Sequence, residues 1–177
     1  MTGSVLLLRA VNVSGRNSVP MARLREVLAV ETDLTGVSTY IASGNIICDE
    51  PADPVVACAQ VRDAISQAFE VDTPVIHRTH EQLRRSEAEQ PFPEGEVTFV
   101  HAMFLEGTPA PDAIEKLEQK RQPGERLMLR GDDLWIDFGS GGVASTKLTK
   151  AVLDRALGVA GTARNLRTVR TLIQRTT

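Results

Sequence analysis

Short apolar runs alternate with amphipathic segments over the first 80 residues of the chain. The run "SVLLL" is typical of a buried strand, and the apolar residues that follow Pro20 recur at helical spacing. In order, the pattern predicts a strand at 4–8, a helix from Pro20 to about residue 29, a hairpin at 37–48 turning at Gly44, a helix at 53–69 and a strand at 73–78. This order is that of a ferredoxin-like split βαβ unit.

The second half of the chain repeats much of this order. The pattern predicts a short helix near 81–88, a proline-rich link at 90–96, a strand at 97–105, a helix at 111–121, a hairpin at 126–138, a helix at about 146–157, a turn at 158–161 and a last helix at about 166–174. We therefore predict an α+β fold of ferredoxin-like units with antiparallel sheets, in two pseudo-repeated halves. The predicted parts are residues 1–80, a helix and linker at 81–96, and a second βαββα half with a C-terminal helix at 97–177.

Two polar segments of the first half each lie next to the end of a predicted strand. "RAVNVSGRN" at 9–17 follows the first strand, and "ASGN" at 42–45 forms the hairpin turn. In a ferredoxin-like unit the first two strands run in the same direction, joined by a right-handed crossover. The end of the first strand and the hairpin turn are then expected at the same edge of the sheet, with the two segments side by side.

Four motifs resemble those of the domain-of-unknown-function 1697 family: "LLRAVNVSGRNSVPMARL", "TYIASGNI", "TKLTKAVLDRALG" and "TARNLRTV". The resemblance implies an α+β protein of ferredoxin-like units and supplies no established activity. The positions that match are Arg9, Asn12, Gly15, Asn17, Pro20, Met21, Ser43, Gly44, Asn45, Lys147, Leu148, Thr149, Thr162, Arg164, Asn165 and Thr168. Ala10 and Ser14 replace glycines of the family pattern, which predicts that the first loop adopts positive φ less readily here. Leu166 stands where the family has tryptophan.

The first polar segment offers guanidinium and amide donors beside a helix start, a setting that suits a phosphate or carboxylate. Loop asparagines and serines also often hydrogen-bond their own backbone, so the same residues could brace the two loops. Both interpretations stay open. The candidate ligand-binding residues are Arg9, Asn12, Arg16, Asn17, Ser43, Gly44, Asn45, Lys147, Arg164 and Asn165.

A glycine-rich segment, "GSGGVASTK" at 139–147, precedes the helix predicted from about residue 146, so Lys147 is expected in that helix's first turn. The segment lacks the Gly-Lys-Ser/Thr of a phosphate loop, and Ala144 breaks the dinucleotide pattern. An anion pocket at the helix start and an ordinary flexible loop both remain possible interpretations.

Charge is unevenly distributed along the chain. Residues 147–177 contain seven basic residues and one acidic residue, whereas the rest of the chain carries a net charge of −9. The last predicted helix places Arg167, Arg170 and Arg175 on one face, which suggests an alternative function as a nucleic-acid or protein binding module. Aromatic content of only 4% leaves little to stack on bases. A helix docked on the acidic body is the other interpretation.

Known catalytic patterns are not recognised, and whether the protein is an enzyme stays undecided. His77 and His80 have no third ligand nearby, so we predict no metal, and no cofactor motif is found. No G-x-S-x-G elbow occurs. The two cysteines form no CxxC pair, and neither a long apolar run nor a secretory leader is recognised. We expect a cytoplasmic protein with a small anionic ligand and no membrane partner; nothing specifies an oligomeric state.

Overall fold

A computed structural model describes residues 2–177 of the chain. The chain divides into two compact units, one of the residues up to Leu83 together with Leu172–Thr177, and one of Arg84–Thr171. No helix among the described residues is long and apolar enough to cross a bilayer.

The first unit has the predicted strand–helix–strand–strand–helix–strand order. Its elements are β1 (Gly3–Leu8), α1 (Met21–Glu31), β2 (Ser38–Tyr40), β3 (Asn45–Asp49), α2 (Pro54–Phe69) and β4 (Val75–Thr79), and α3 (His80–Ala88) follows at once. The sheet order is β2-β3-β1-β4, with antiparallel neighbours throughout. The ferredoxin-like arrangement predicted for this half is confirmed.

Local sequence explains where α2 begins. The Asp53 side chain accepts hydrogen bonds from the backbone N–H groups of Val55 and Val56, and Pro54 occupies the first helical position. One face of the sheet packs with α1 and α2 in a core that includes Leu6, Leu24, Ile46, Val61 and Ile65, all fully buried. This packing fixes β1 and β3, whose ends carry the two polar loops.

The second unit repeats the same topology. Its elements are β5 (Val100–Leu105), α4 (Ala113–Glu118), β6 (Arg126–Arg130), β7 (Asp133–Asp137), a 3-10 helix (Gly139–Gly141), α5 (Gly142–Ser145), α6 (Lys150–Leu157) and β8 (Gly161–Asn165). Helix α7 (Leu166–Arg175) follows, and its residues from Leu172 onward belong to the first unit. The sheet order is β6-β7-β5-β8, again antiparallel. Two pseudo-repeated α+β halves with antiparallel sheets are therefore present.

Strand β8 corrects the predicted order of the second half. Residues 158–166 were expected to lead from a turn directly into a helix, but Gly161–Asn165 pairs with His101–Leu105 of β5. The segment "GTARN" has no apolar alternation, because Thr162 and Arg164 are the buried side chains of the strand. Its strand conformation comes from hydrogen bonding to a neighbour that is distant in sequence.

Helix α6 begins later than predicted, so Lys147 does not lie in its first turn. Thr149 caps the helix by accepting a hydrogen bond from the Val152 N–H group, and the helix starts at Lys150. Residues Gly142–Ser145 form a separate single turn, and Lys147 lies exposed between the two helices. The side-chain cap, rather than the glycines, fixes the helix start.

The two units repeat one strand-to-helix junction in detail. Thr79 pairs with the first strand of its unit at Ser4, and Asn165 pairs with β5 at His101. Thr79 Oγ1 accepts from the Gln82 N–H group at 3.1 Å, and Asn165 Oδ1 accepts from the Thr168 N–H group at 2.9 Å. Each residue ends the last strand of its sheet and caps the helix that follows.

Candidate functional site

The first loop (residues 9–20) and the hairpin loop (residues 41–44) lie against each other at one edge of the first unit. Asn12 Nδ2 donates a 2.8 Å hydrogen bond to the carbonyl oxygen of Ala42, and the Leu8 N–H group donates to the carbonyl of Gly44 at 2.9 Å. The expectation from topology that these segments lie side by side is confirmed. We call the two loops together the double-loop edge.

A miniature hairpin forms the outer part of the first loop. The Arg16 N–H group donates to the Val13 carbonyl and the Asn12 N–H group to the Asn17 carbonyl, both at 2.9 Å. Ser14 and Gly15 between them have φ values of 51° and 74°, as a type I′ turn requires. Residues 13–18 are exposed, so the turn projects into solvent.

Ala10 and Ser14 adopt positive φ although the sequence predicts that the loop does so less readily without glycines at these positions. Both residues are left-handed, at 53° and 51°, as are Asn12 at 55° and Asn17 at 51°. A side chain in this region costs roughly 1–2 kcal/mol relative to the right-handed form. Hydrogen bonds within the loop hold it there, among them one of 3.0 Å from Asn17 Nδ2 to the Ala10 carbonyl.

The Asn12 side chain uses both ends of its amide on backbone groups. Besides the bond to Ala42, Nδ2 donates to the Val19 carbonyl at 2.9 Å, and Oδ1 accepts from the Val19 N–H group at 2.7 Å. The side chain therefore joins both ends of the first loop to the hairpin loop. The asparagines brace the double-loop edge, which is the structural role that the sequence left open.

In the hairpin loop, Gly44 and Asn45 are packing residues. A Cβ at Gly44, where φ is 87°, would lie 2.7 Å from Leu8 Cβ and 2.9 Å from Val11 Cγ2. Buried Asn45 donates through Nδ2 to the Tyr40 carbonyl at 2.8 Å and to Ser43 Oγ at 3.2 Å. Only a glycine fits at position 44, and the Asn45 side chain holds the loop together through its hydrogen bonds to Tyr40 and Ser43.

Thr73 is a contributor that the sequence did not reveal. Its hydroxyl accepts a hydrogen bond from the Arg9 N–H group at 2.9 Å and lies 2.8 Å from the Arg9 carbonyl oxygen, to which it can donate. The residue is buried just before β4. It satisfies the backbone of Arg9 one residue beyond the β1–β4 ladder. No motif marks this threonine, since only the pairing of distant strands brings it to Arg9.

The double-loop edge has a basic character. The first loop contains Arg9 and Arg16 and no acidic residue, and the hairpin loop contains no charged residue. The Arg16 side chain is exposed and has no hydrogen bond or ion pair within the described part of the chain. Arg9 is half-buried. Pro20, at the end of the first loop, provides no side-chain cap for α1.

The candidate residues of the second unit have roles within that unit. Arg164 is buried, and its Nη1 donates to Thr162 Oγ1 at 2.8 Å and to the Ala163 carbonyl at 2.9 Å. Burial lowers the pKa of its guanidinium to about 10, which leaves it charged at neutral pH. Asn165 caps α7 and Lys147 is exposed. Of these three, only Lys147 presents an exposed charge.

Two of the three arginines on the last helix are already engaged within their own units. Arg170 Nε donates to Glu87 Oε1 at 2.9 Å, and the Arg175 guanidinium lies 4.7 Å from the centre of the Tyr40 ring. Arg167 is exposed. Arg170 and Arg175 therefore contact other side chains of the protein, and only Arg167 of the three arginines on this face has no such contact described above.

Two of the three histidines, His77 and His101, are mostly buried, and His80 Nδ1 lies 2.9 Å from Thr176 Oγ1. Burial lowers the pKa of His101, whose Nδ1 lies 3.1 Å from the Phe99 carbonyl oxygen and whose ring meets Phe138 edge-on. Burial also lowers the pKa of His77, and its buried Nε2 has no hydrogen-bond partner among the described residues. Residues 2–177 contain no cluster of three metal-ligating side chains.

Comparisons with known proteins agree with the fold. The conserved bacterial protein SP0830 from Streptococcus pneumoniae is similar in structure, with a TM-score of 0.77 at 22% identity over 99% of each chain. No curated protein matches the sequence. The sequence profile of a family described as a protein of unknown function (DUF1697) matches residues 1–135, which include the double-loop edge and exclude the two later motifs. The chain therefore belongs to the DUF1697 family.

Proposed function

We propose that the double-loop edge binds a small anionic ligand, phosphorylated or nucleotide-like. The observation that carries this proposal is the strained backbone of the two loops that form this edge. Ala10, Ser14 and, in the facing loop, Ile41 all have positive φ without being glycine or asparagine. Such strain costs about 1–3 kcal/mol per residue and is concentrated at binding and catalytic sites.

The asparagine contacts support the proposal indirectly. Asn12 and Asn17 are committed to the backbone, so they act as a rigid frame rather than as ligand donors. A frame of this kind lowers the entropy lost when a ligand is bound. The ligand contacts then come from Arg16, from the hydroxyls of Ser14 and Ser18, and from backbone N–H groups, which in left-handed turns can face an anion.

Electrostatics favours an anion at this edge. No acidic residue occurs in residues 2–25 or 34–48. In the loop that carries Thr73, the Asp72 carboxylate is bound by Arg62 through contacts of 2.6 and 2.9 Å. The Arg62 guanidinium also lowers the pKa of Asp72. The Asp72 carboxylate is therefore paired with Arg62, whereas the Arg16 side chain is exposed.

Titration of the full chain with inorganic phosphate and pyrophosphate, followed by ¹⁵N–¹H NMR, tests the proposal. Amide resonances of residues 12–18 should shift and saturate, and Arg16→Ala should weaken the affinity about tenfold, because a charge-assisted hydrogen bond is lost. Lys120→Ala, at an exposed position of the second unit, is the matched control and should leave the affinity unchanged. Shifts that do not saturate, or an Arg16→Ala protein with full affinity, would refute it.

We also infer a cytoplasmic location. The buried Cys48 thiol forms no disulfide, and burial raises its pKa. Reducing compartments keep such thiols unoxidised. Fractionation of cells that express the protein at natural levels tests this location, and recovery outside the cytoplasm would contradict it.

A further inference from the structure

The double-loop edge carries two exposed aliphatic side chains beside its arginine. Val13 is 55% exposed and Ile41 is 47% exposed. Each stands next in sequence to one end of the hydrogen bond between Asn12 and Ala42, which fixes their loops together. Val13 also pairs with Arg16 across the miniature hairpin. One edge thus presents two aliphatic groups and a cation.

The backbone conformation at position 41 is unfavourable for isoleucine. Its φ is 50°, a left-handed value that glycine and asparagine adopt readily and a β-branched residue adopts only under strain. Its side chain nonetheless stays about half exposed. Single exposed aliphatic residues are common, and Val55 is another in this unit. Ile41 differs from Val55 because it is exposed and strained at once, beside a basic loop.

We propose that the ligand of the double-loop edge is an anion that bears an aliphatic chain, such as an alkyl phosphate. This inference rests on the proposed function and specifies the class of its ligand. Arg16 binds the charged group, and Val13 and Ile41 cover the first part of the chain. The ring of Tyr40 already stacks under Arg175, so aliphatic rather than base-stacking contacts are the ones that this edge offers.

Calorimetric titration of the full chain with three probes tests the inference: inorganic phosphate, hexyl phosphate and hexanol. Covering two half-exposed aliphatic side chains predicts that hexyl phosphate binds about tenfold more tightly than phosphate. Hexanol, which lacks the charge, should show no saturable binding. Equal affinity for phosphate and hexyl phosphate, or saturable binding of hexanol alone, would overturn the inference.

Variants separate this role from folding. The double variant Val13→Ser, Ile41→Asn should lose the gain from the alkyl chain, measured as the ratio of its affinities for hexyl phosphate and for phosphate. Because asparagine tolerates the left-handed region, the change at position 41 should not impair folding. Val55→Ser removes a more exposed valine elsewhere in the unit and should keep the gain. A double variant that retains the gain would overturn the inference.

The outcomes distinguish this inference from the proposed function. Absence of binding by both phosphate and hexyl phosphate would refute the proposed function and the inference with it. Binding of phosphate without any gain from the chain would refute the inference alone. Sedimentation with vesicles of an anionic phospholipid then identifies the source of the ligand. Retention that hexyl phosphate reverses indicates a lipid headgroup, and absence of retention indicates a soluble alkyl anion.

Discussion

Asn12 donates a hydrogen bond of 2.8 Å to the carbonyl of Ala42, 30 residues further along the chain. The same amide group also holds both backbone groups of Val19, at the end of its own loop. One side chain therefore joins three backbone segments of the first unit.

Asn12→Ala should lower the free energy of unfolding by about 2–3 kcal/mol, because three hydrogen bonds are lost and an alanine must take a left-handed conformation. Asn17→Ala, which loses one such side-chain bond, should cost about 1–2 kcal/mol. Urea unfolding monitored by circular dichroism measures both. Equal losses in the two variants would show that Asn12 does not join the loops in solution.

Ala10→Gly should stabilise the protein by about 0.5–1 kcal/mol, because glycine adopts a φ of 53° without the clash that alanine suffers. The expected rise in melting temperature is roughly 2–3 °C for a chain of this size. Ala29→Gly, in the exposed face of α1, should have the opposite sign, since glycine weakens a helix. A lower melting temperature for Ala10→Gly would contradict the left-handed backbone at this position.

Gly44→Ala and Gly15→Ala form a matched pair. Both glycines have positive φ, at 87° and 74°, but only Gly44 has neighbours within 4 Å of an added Cβ. Gly15→Ala should therefore cost only the conformational term, about 1 kcal/mol, whereas Gly44→Ala should cost about 3 kcal/mol or more from the clash with Leu8. Chemical unfolding of both variants provides the comparison. Similar losses would mean that the hairpin loop does not pack on β1.

Thr73→Val should destabilise the protein by about 1–3 kcal/mol, because the backbone N–H and carbonyl of Arg9 both lose their partner. Thr73→Ser keeps the hydroxyl and should recover most of this loss. Hydrogen exchange at the Arg9 amide gives a local readout, and it should accelerate in the valine variant alone. An unchanged exchange rate in Thr73→Val would show that the Arg9 N–H group does not bond to the Thr73 hydroxyl in solution.

Acid should destabilise the protein through its buried histidines. Burial lowers the pKa of His77 and of His101, so between their folded pKa values and the ordinary value near 6.5 the unfolded chain binds more protons. Stability is then full above about pH 6.5 and falls as the pH decreases below it. Unfolding at pH 7.5 and 5.5 measures the loss, which should be smaller in His101→Gln. An undiminished loss in that variant would exclude a contribution from His101.

The sequence was sufficient for the parts of the fold that depend on local pattern. Strand β1, the capped helix α2 and the order of the first unit follow from apolar runs, Asp53 and Pro54. The meeting of the two loops followed from topology, because the handedness of the crossover leaves only one edge for both. The resemblance to the DUF1697 family likewise came from the sequence, on four motifs in the same order along the chain, and the family profile matches residues 1–135.

Only the tertiary structure decided what the polar residues do. The sequence does not tell whether a loop asparagine hydrogen-bonds a ligand or the backbone. In the structure the side chains of Asn12 and Asn45 hydrogen-bond backbone carbonyl groups. Strand β8 and Thr73 have no signal in their own sequence, because their hydrogen bonds are made to strands far along the chain. Left-handed Ala10 is instead held within its own loop, where Asn17 donates a hydrogen bond to its carbonyl. In each case hydrogen bonds that form on folding outweigh a local preference of about 1–2 kcal/mol.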